Sequence, residues 1–425
     1  MARTTPDGRV VAIEALRKVD QERAFAASLL RFDLNALGSA DRGLATELVY
    51  GVLRRRAHLD AAIEWAAKRR LKDIDPRLHP VLRVGIYQLM FLDRIPARAA
   101  VHTTVEIAKR YGGVRCGGFV NAVLRRIADA DPETRTPPPP PFDTDAIGHL
   151  CAIGSVSRVV AKLLLDALGP VDALAFLHAS LLPTPLTLRA NLLKVDRDTL
   201  ANDVQGTPGH HPAAIRLPGS LGSLPSDLSC VADGRATPQD EAAMAVVELL
   251  DPQPGESILD VCAAPGGKTT HTAERMRDQG RIVATDRHPE RLARVEAARV
   301  RLGLTAIEVT PVMPERHAKF DRVLVDAPCS GLGTLRRHPE IRWRLAFEDV
   351  EALAKTQAAI LAEAATHVRP GGILVYAVCT VTKAENEAQL EALDGDFERL
   401  EAFVSGPHQP GAPDGFFAAK LRRIR

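Results

Sequence analysis

Residues 257–270 read SILDVCAAPGGKTT. Ser257 to Cys262 is a run of strand formers that ends on a carboxylate and a thiol. Gly266 and Gly267 then make a turn, and helical spacing takes over from 268 to 277. Strand, glycine turn and helix form the opening of a βαβ unit. The alternation continues downstream: a strand at 281–286 (RIVATD), a helix at 289–302, a strand at 320–326, a long helix at 350–368 and a strand at 372–378 (GILVYAV). Strands alternating with helices predict a parallel sheet covered on both faces. Ligands of such sheets bind at the carboxyl ends of the strands. Cys262, Asp286, Asp326 and Cys379 all fall at such ends.

The turn resembles a P-loop only at its Gly-Lys-Thr end. A P-loop needs glycine five residues before the Gly-Lys pair, and Cys262 stands there. The backbone freedom that wraps phosphate is therefore missing. A nucleoside cofactor without phosphates fits better. Gly266 and Gly267 let the backbone approach a ligand. Asp286 ends the next strand, where a carboxylate accepts both ribose hydroxyls. With the motifs that follow, this suits S-adenosylmethionine.

Two thiols stand past strands, in VDAPCSG (325–331) and YAVCT (376–380). Each alone reads as a small buried hydrophobe. Both on one rim, with Asp326 and a cofactor turn, suit one chemistry. Carbon 5 of cytosine is a poor nucleophile until a thiolate adds to carbon 6. A carboxylate at the N3/N4 edge stabilises the charge that develops. A second group then helps to expel the thiolate. Chemistry alone leaves open which of Cys329 and Cys379 attacks.

Upstream, residues 10–127 are helical in pattern, with runs at 41–59, 77–92, 101–111 and 119–127. A polyproline run at 137–141 ends that region. Residues 143–235 read as a small α+β connector, with helices at 157–168, 170–180 and 197–204 and a strand at 186–195. The chain has 425 residues, which implies several domains. It has no run of about 18 apolar residues, so no membrane span is expected. MARTTPDGRVV lacks the apolar core of a signal peptide. Six scattered cysteines without a CxxC pair point to no disulfide scaffold, no metal site and a cytoplasmic location. Net charge is +2, yet residues 1–130 carry +9 and the remainder −7. Lys and Arg gain affinity for polyanions by releasing phosphate counterions, so the basic part suits a nucleic-acid partner.

DVCAAPGGKTT, LVDAPCSGLGTLRRHPEIRW and YAVCTVTKAENE, in that order and spacing, resemble the NOL1/NOP2/Sun family of RNA cytosine-5 methyltransferases. GRATPQDEAA (234–243) and DGFFAAKLRR (414–423) extend the match. ADRGLATELVYGVLRRRAHLDAAI (40–63) is similar to the NusB-type RNA-binding domain fused to the bacterial Sun/Fmu branch. The resemblance implies a multidomain chain. An all-α NusB-like domain would span 1–135, the α+β connector 143–235, and an α/β Rossmann-like class I methyltransferase domain 236–425. It implies S-adenosylmethionine-dependent methylation of a cytosine in small-subunit (16S) ribosomal RNA. With the cysteine usage above, a cytoplasmic monomer without metal is expected.

By that resemblance Cys379 is the nucleophile, Cys329 assists product release, and Asp326 orients and polarises the cytosine. Cys262, Ala263, Ala264, Pro265, Gly266, Gly267 and Lys268 hold the methionine part of the cofactor, Asp286 the ribose, and Asp326 borders both. Lys268 serves either the turn or the cofactor carboxylate. One departure stands out. The family's Gly-Asp beside the adenine is replaced by Thr310-Pro311-Val312-Met313-Pro314-Glu315. Either an apolar wall or backbone amides hold the adenine, or Glu315 moves in.

Two other readings compete. A decayed enzyme acting as an assembly factor would not bind cofactor. A DNA methyltransferase would attack through the Pro-Cys thiol, Cys329, and prefer duplex DNA. Aromatics make up only 4% of the chain, which favours backbone and shape recognition over base stacking. The target base must still be flipped out to reach a buried thiol. Arg336, Arg337, His338 and Arg342 read as contacts at the cleft mouth or as a solvated basic loop.

Overall fold

The computed structural model describes residues 7–22, 24–34, 37–218, 228–409 and 413–425. The chain divides into two compact units. One comprises Met1–Lys162, Ala173–Leu182 and Leu335–Arg344; the other comprises Leu163–Asp172, Pro183–Thr334 and Leu345–Arg425. The stretch 143–235 is thus shared between them.

The first unit is helical, as its periodicity predicts: α1 (Gly8–Glu22), α2 (Ala26–Asp33), α3 (Ser39–Ala67), α4 (His79–Phe91), α5 (Ala97–Asp129) and α6 (Ala146–Gly154), with α7 (Arg158–Ser180) divided between the units. Pro96 precedes α5, and the helix breaks at Gly112-Gly113, where Gly113 has φ 64°. That break accounts for reading α5 as two runs. Gly169, at φ 75° before Pro170, breaks α7 in the same way. Helix α4 is apolar nearly all round and buried from Pro80 to Gln88, the pattern of a central helix. Its Arg83 is buried but paired. It donates to Asp60 at 2.7 and 3.0 Å and to Asp20 at 3.2 Å. Such pairing is what permits a charge inside a core.

The second unit holds two sheets. The smaller is antiparallel. It is built from β1 (Thr187–Ala190), β2 (Thr207–Pro208), β3 (Ala214–Arg216) and β4 (Ala236–Pro238) in the order β2-β3-β1-β4, with α8 (Arg197–Asp203) and α9 (Ser229–Ala232) between strands. The strand expected over 186–195 stops at Ala190. Asn191 folds the chain into a turn, its side-chain oxygen accepting from Leu193 N at 3.1 Å and its carbonyl from Lys194 N at 2.9 Å. Local side-chain hydrogen bonding of this kind competes with a strand ladder.

The larger sheet follows α10 (Glu241–Leu250). In chain order it contains β5 (Ser257–Asp260), α11 (Gly267–Arg275), β6 (Arg281–Thr285), α12 (Pro289–Leu302), β7 (Ile307–Thr310) and β8 (Phe320–Asp326). After the short α13 (Ile341–Arg344), which belongs to the first unit, come α14 (Phe347–Thr366), β9 (Val368–Val378), β10 (Phe397–Ser405) and β11 (Phe416–Arg423). Strand order is β10-β11-β9-β8-β5-β6-β7. The sheet is parallel from β9 to β7, and β11 and β10 are antiparallel.

The parallel strands are buried on both faces. Ile258, Leu324 and Val375 pack towards α10 and α11, and Leu259, Val323, Val325 and Tyr376 pack in a second core with Leu361 and Ala364 of α14. Val323, Leu324 and Val325 are 0–1% exposed, each worth about 1.5–3 kcal/mol of transfer free energy. The chain builds outward from β5 to β7, then returns to β5's other side as β8. The reversal places a crevice between the carboxyl ends of β5 and β8, where doubly wound sheets bind ligands. Among the described residues no helix is long and apolar enough to cross a membrane.

Candidate functional site

A cleft of about 400 Å³ lies at the carboxyl ends of the parallel strands. Cys262 and Ala264 after β5, Asp286 after β6, Asp326 ending β8, Cys329 and Cys379 all line it. Six of the residues singled out in the sequence thus meet in one cavity. Of the others, Ala263 and Gly266 are buried in the turn and Pro265 is exposed. Gly266 has φ 102°, a region side chains avoid, and starts α11. The Ala264–Pro265 peptide is cis.

Asp286 and Asp326 line one side, and Asp260 and Lys268 interact with them. Asp260 is fully buried. Its one oxygen accepts from Thr269 Oγ1 at 2.7 Å, while Oδ1 has no partner. Burial, aided by the charges of Asp326 and Asp286, pushes its pKa up to about 7. Lys268 Nζ donates to Asp326 Oδ2 at 2.6 Å. Burial opposes the ammonium, but Asp326, with Cys379 and Asp260, raises its pKa. The side chain of Lys268 is therefore committed to Asp326. Asp286 is buried and accepts from His288 N at 2.9 Å. Arg291 sits 3.6 Å from its second oxygen and also donates to the Ala264 carbonyl at 3.0 Å. A half-satisfied buried carboxylate, a second carboxylate at the end of β6 and a glycine turn suit a ligand with an ammonium and a ribose diol.

Pro311 and Met313 line the cleft, whereas Glu315 is exposed and bound to His317 at 2.7 Å.

The thiol side is tighter. Cys329 Sγ and Cys379 Sγ are 3.3 Å apart. Contact with Cys379, then burial, then the charges of Cys379 and Glu385 raise the Cys329 pKa well above that of a free thiol. Burial likewise pushes Cys262 up. The two thiol turns are joined by backbone bonds: Ala327 N donates to Ala377 O at 2.9 Å and Gly333 N to Cys379 O at 3.1 Å. Gly415 N donates to Gly333 O at 2.8 Å. A Cβ on Gly333 would come 2.0 Å from the Gly415 carbonyl oxygen. A Cβ on Gly415, the glycine of the terminal DGFF segment, would in turn come 2.7 Å from Gly333 Cα, so the approach requires glycine on both sides.

Sequence reasoning missed two residues. Arg189, on β1 of the small sheet, is fully buried and braces the first turns of α11. It donates to both Glu274 oxygens at 2.9 and 2.8 Å, to Thr270 Oγ1 at 3.1 Å and to Gly267 O at 2.9 Å, and also contacts Gln239. Its only sequence signal is an arginine inside an apolar strand. The other is Glu385, described below, which stands in the quoted YAVCTVTKAENE but carries no mark of its own. Arg342 does not face a cleft. It is fully buried in the helical unit, donating to Gly154 O and to Ser180 O and Oγ, each at 2.7 Å.

Among the described residues His211, Glu248 and His271 bring potential ligand atoms within 4.8 Å of one another. None lines the cleft. Ala213 N donates to His211 Nδ1, so Nε2 carries the proton and donates to Glu248 at 3.1 Å. The other Glu248 oxygen pairs with Arg275 at 3.0 Å. His271 meets this pair only by an edge-on ring contact with His211 at 5.5 Å, and its buried Nδ1 has no hydrogen-bond partner.

Comparison with known proteins places this geometry among relatives. The model of the 16S rRNA methyltransferase RsmB/F family matches residues 247–422, and that of the NusB family matches residues 7–129. The Probable ribosomal RNA small subunit methyltransferase B of Synechocystis sp. is 38% identical, over 91% of this chain and 92% of its own. Its namesake in Bacillus subtilis is 35% identical over 98% of both. The Ribosomal RNA small subunit methyltransferase B of Escherichia coli O157:H7 is 34% identical over 97% and 98%. Among solved structures, PH0851 superposes with a TM-score of 0.79 over 98% of each chain at 24% identity, a likeness of fold. NSun6 from Pyrococcus horikoshii with SFG gives 0.58 at 21% identity, over 63% of this chain and 98% of its own.

Proposed function

We propose that this chain, which belongs to the 16S rRNA methyltransferase RsmB/F family, methylates carbon 5 of a cytosine through a covalent cysteine adduct. The coarser activity is that of the family. The chain is an S-adenosylmethionine-dependent enzyme that methylates small-subunit ribosomal RNA.

The observation that carries the finer reading is the pair of sulfurs 3.3 Å apart beside the Lys268–Asp326 ion pair, all at one rim. When bound, S-adenosylmethionine supplies the electrophilic methyl group. The Cys379 thiolate bonds to carbon 6 of the flipped-out cytosine and makes carbon 5 electron-rich. Asp326, held by Lys268, faces the charge that develops on the ring. After methylation carbon 5 gives its proton to water, the carbon 5–carbon 6 double bond re-forms, and the carbon–sulfur bond breaks with its electron pair returning to Cys379. Cys329, in contact with that sulfur, assists the departure. On the cofactor side, Asp286 binds the ribose, the Cys262–Lys268 turn the methionine part, and Pro311 and Met313 the adenine. The helical domain supplies the basic surface for RNA. The enzyme works as a cytoplasmic monomer without metal.

The test is an adduct assay. Cys329→Ala and Cys379→Ala variants are mixed with unmethylated 16S ribosomal RNA and S-adenosylmethionine and run on a denaturing gel. An RNA-linked band only with Cys329→Ala is the expected result. A band only with Cys379→Ala would exchange the two roles. Methyl transfer by the wild type with no band from either variant would remove the covalent step.

A further inference from the structure

Glu385 is fully buried. Five donors converge on its carboxylate. Ser330 N and Gln357 Nε2 donate to Oε1 at 2.8 and 3.1 Å. Ser330 Oγ, Thr380 Oγ1 and Thr382 Oγ1 donate to Oε2 at 2.6, 3.1 and 2.7 Å. Ser330 follows Cys329 and Thr380 follows Cys379, so one carboxylate holds the residue next to each sulfur. Gln357 of α14 also donates to the Pro328 carbonyl at 2.9 Å, and Tyr376 OH to the Glu385 carbonyl at 2.7 Å. The Ser330 and Thr380 hydroxyl oxygens are 2.8 Å apart. A buried carboxylate this fully satisfied is costly to disturb.

We propose that Glu385 is a positioning residue of the methyl transfer, pinning the two thiol turns to one carboxylate so that Cys329 stays in contact with the Cys379 sulfur. This rests on the covalent reading above. Several groups face the sulfur pair: Lys268 of α11, Asp326 of β8, Tyr376 of β9, Cys262 of the β5 turn and Glu385. Lys268 is the cation among them, and its charge is coupled to Asp326 and Cys379. The Glu385 charge acts on Cys329 and disfavours its thiolate. A Cys329 S–H aimed at the Cys379 sulfur also stabilises that sulfur as it leaves carbon 6, which gives Cys329 its part in product release.

The experiment uses the full chain with Glu385→Gln, Glu385→Asp and Thr382→Val. It has three readouts: kcat and KM on unmethylated 16S ribosomal RNA, cofactor binding by calorimetry, and the pH dependence of iodoacetamide labelling at Cys329 and Cys379 by mass spectrometry. Glutamine removes the charge and turns an acceptor into a donor, so kcat should fall about tenfold or more while both KM values and cofactor affinity hold within about threefold. The labelling midpoint of Cys329 should move to lower pH. Aspartate keeps the charge and should preserve the Cys329 profile while kcat recovers only in part. Thr382→Val, which covers the case of a misfolded Gln variant, should lower kcat about threefold with the profile unmoved. An unchanged Cys329 profile in a folded Gln variant, or equal kcat losses in Gln and Asp, would overturn the proposal. Labelling is read on protein without RNA, so it reports on Glu385 even where the adduct assay denies the covalent step.

Discussion

Two of the carboxylates buried near the cleft of the catalytic unit, Glu385 and Asp260, are treated in opposite ways. Glu385 receives five hydrogen bonds, and every donor comes from a segment that shapes the thiol turns. Asp260 receives one, keeps an oxygen without a partner, and is pushed towards neutrality. Burying a polar group without compensation costs free energy. A saturated carboxylate therefore marks a group that holds the protein's own atoms in place. A half-satisfied one is pushed towards neutrality instead.

The comparison breaks first on stability. Glu385→Leu strands the donors of Ser330, Thr380, Thr382 and Gln357 without an acceptor, and should cost about 5 kcal/mol in denaturant unfolding, since each orphaned group costs ~1–3 kcal/mol. Asp260→Asn should cost about 1 kcal/mol or less. Equal losses would show that the number of donors does not separate the two sites.

The second effect is in pH. Asp260 titrates near 7 when folded, against 3.8 when unfolded. Between those values the folded chain holds the extra proton. Its stability therefore falls as pH rises through the window and levels off above 7, by up to about 4 kcal/mol at ~1.4 kcal/mol per unit. Thermal unfolding of the cofactor-free protein from pH 4 to 8 should show this slope, and Asp260→Asn should flatten it. A slope that survives in the variant belongs to another group.

The smallest effect sharpens the ligand side. Asp286→Ala should weaken cofactor binding about tenfold in a calorimetric titration, as expected for a lost charge-assisted hydrogen bond of ~1.5–3 kcal/mol. Glu315→Ala, at an exposed pair with His317, should stay within about twofold. Similar losses would mean that Glu315 reaches the adenine.

Much of this was legible in the chain. Periodicity separated helical residues 10–127 from the alternating pattern after 236, because a 3.6-residue repeat and fully buried strands leave different apolar spacing. β5, β6, β8 and β9 were found because each is a short apolar run ending on a polar residue. β10 was not: Glu398 to Ala402 are exposed on an edge, so no apolar pattern marks it. β11 is a buried run that looks like the tail of a motif.

What the sequence by itself determined is the chemistry available: two thiols, two strand-end carboxylates and a glycine turn, each recognisable because local spacing places it at the end of a strand. Tertiary structure alone decided the rest. It brought Cys329 and Cys379, fifty residues apart, to within van der Waals reach of each other. It buried Arg342 in the helical unit. It aimed Arg189 of a different sheet at the cofactor turn, and made Glu385 the common acceptor of both thiol turns. These are contacts between residues distant in the chain. They are set by how the sheet twists and which backbone groups remain unpaired, and no local pattern encodes either.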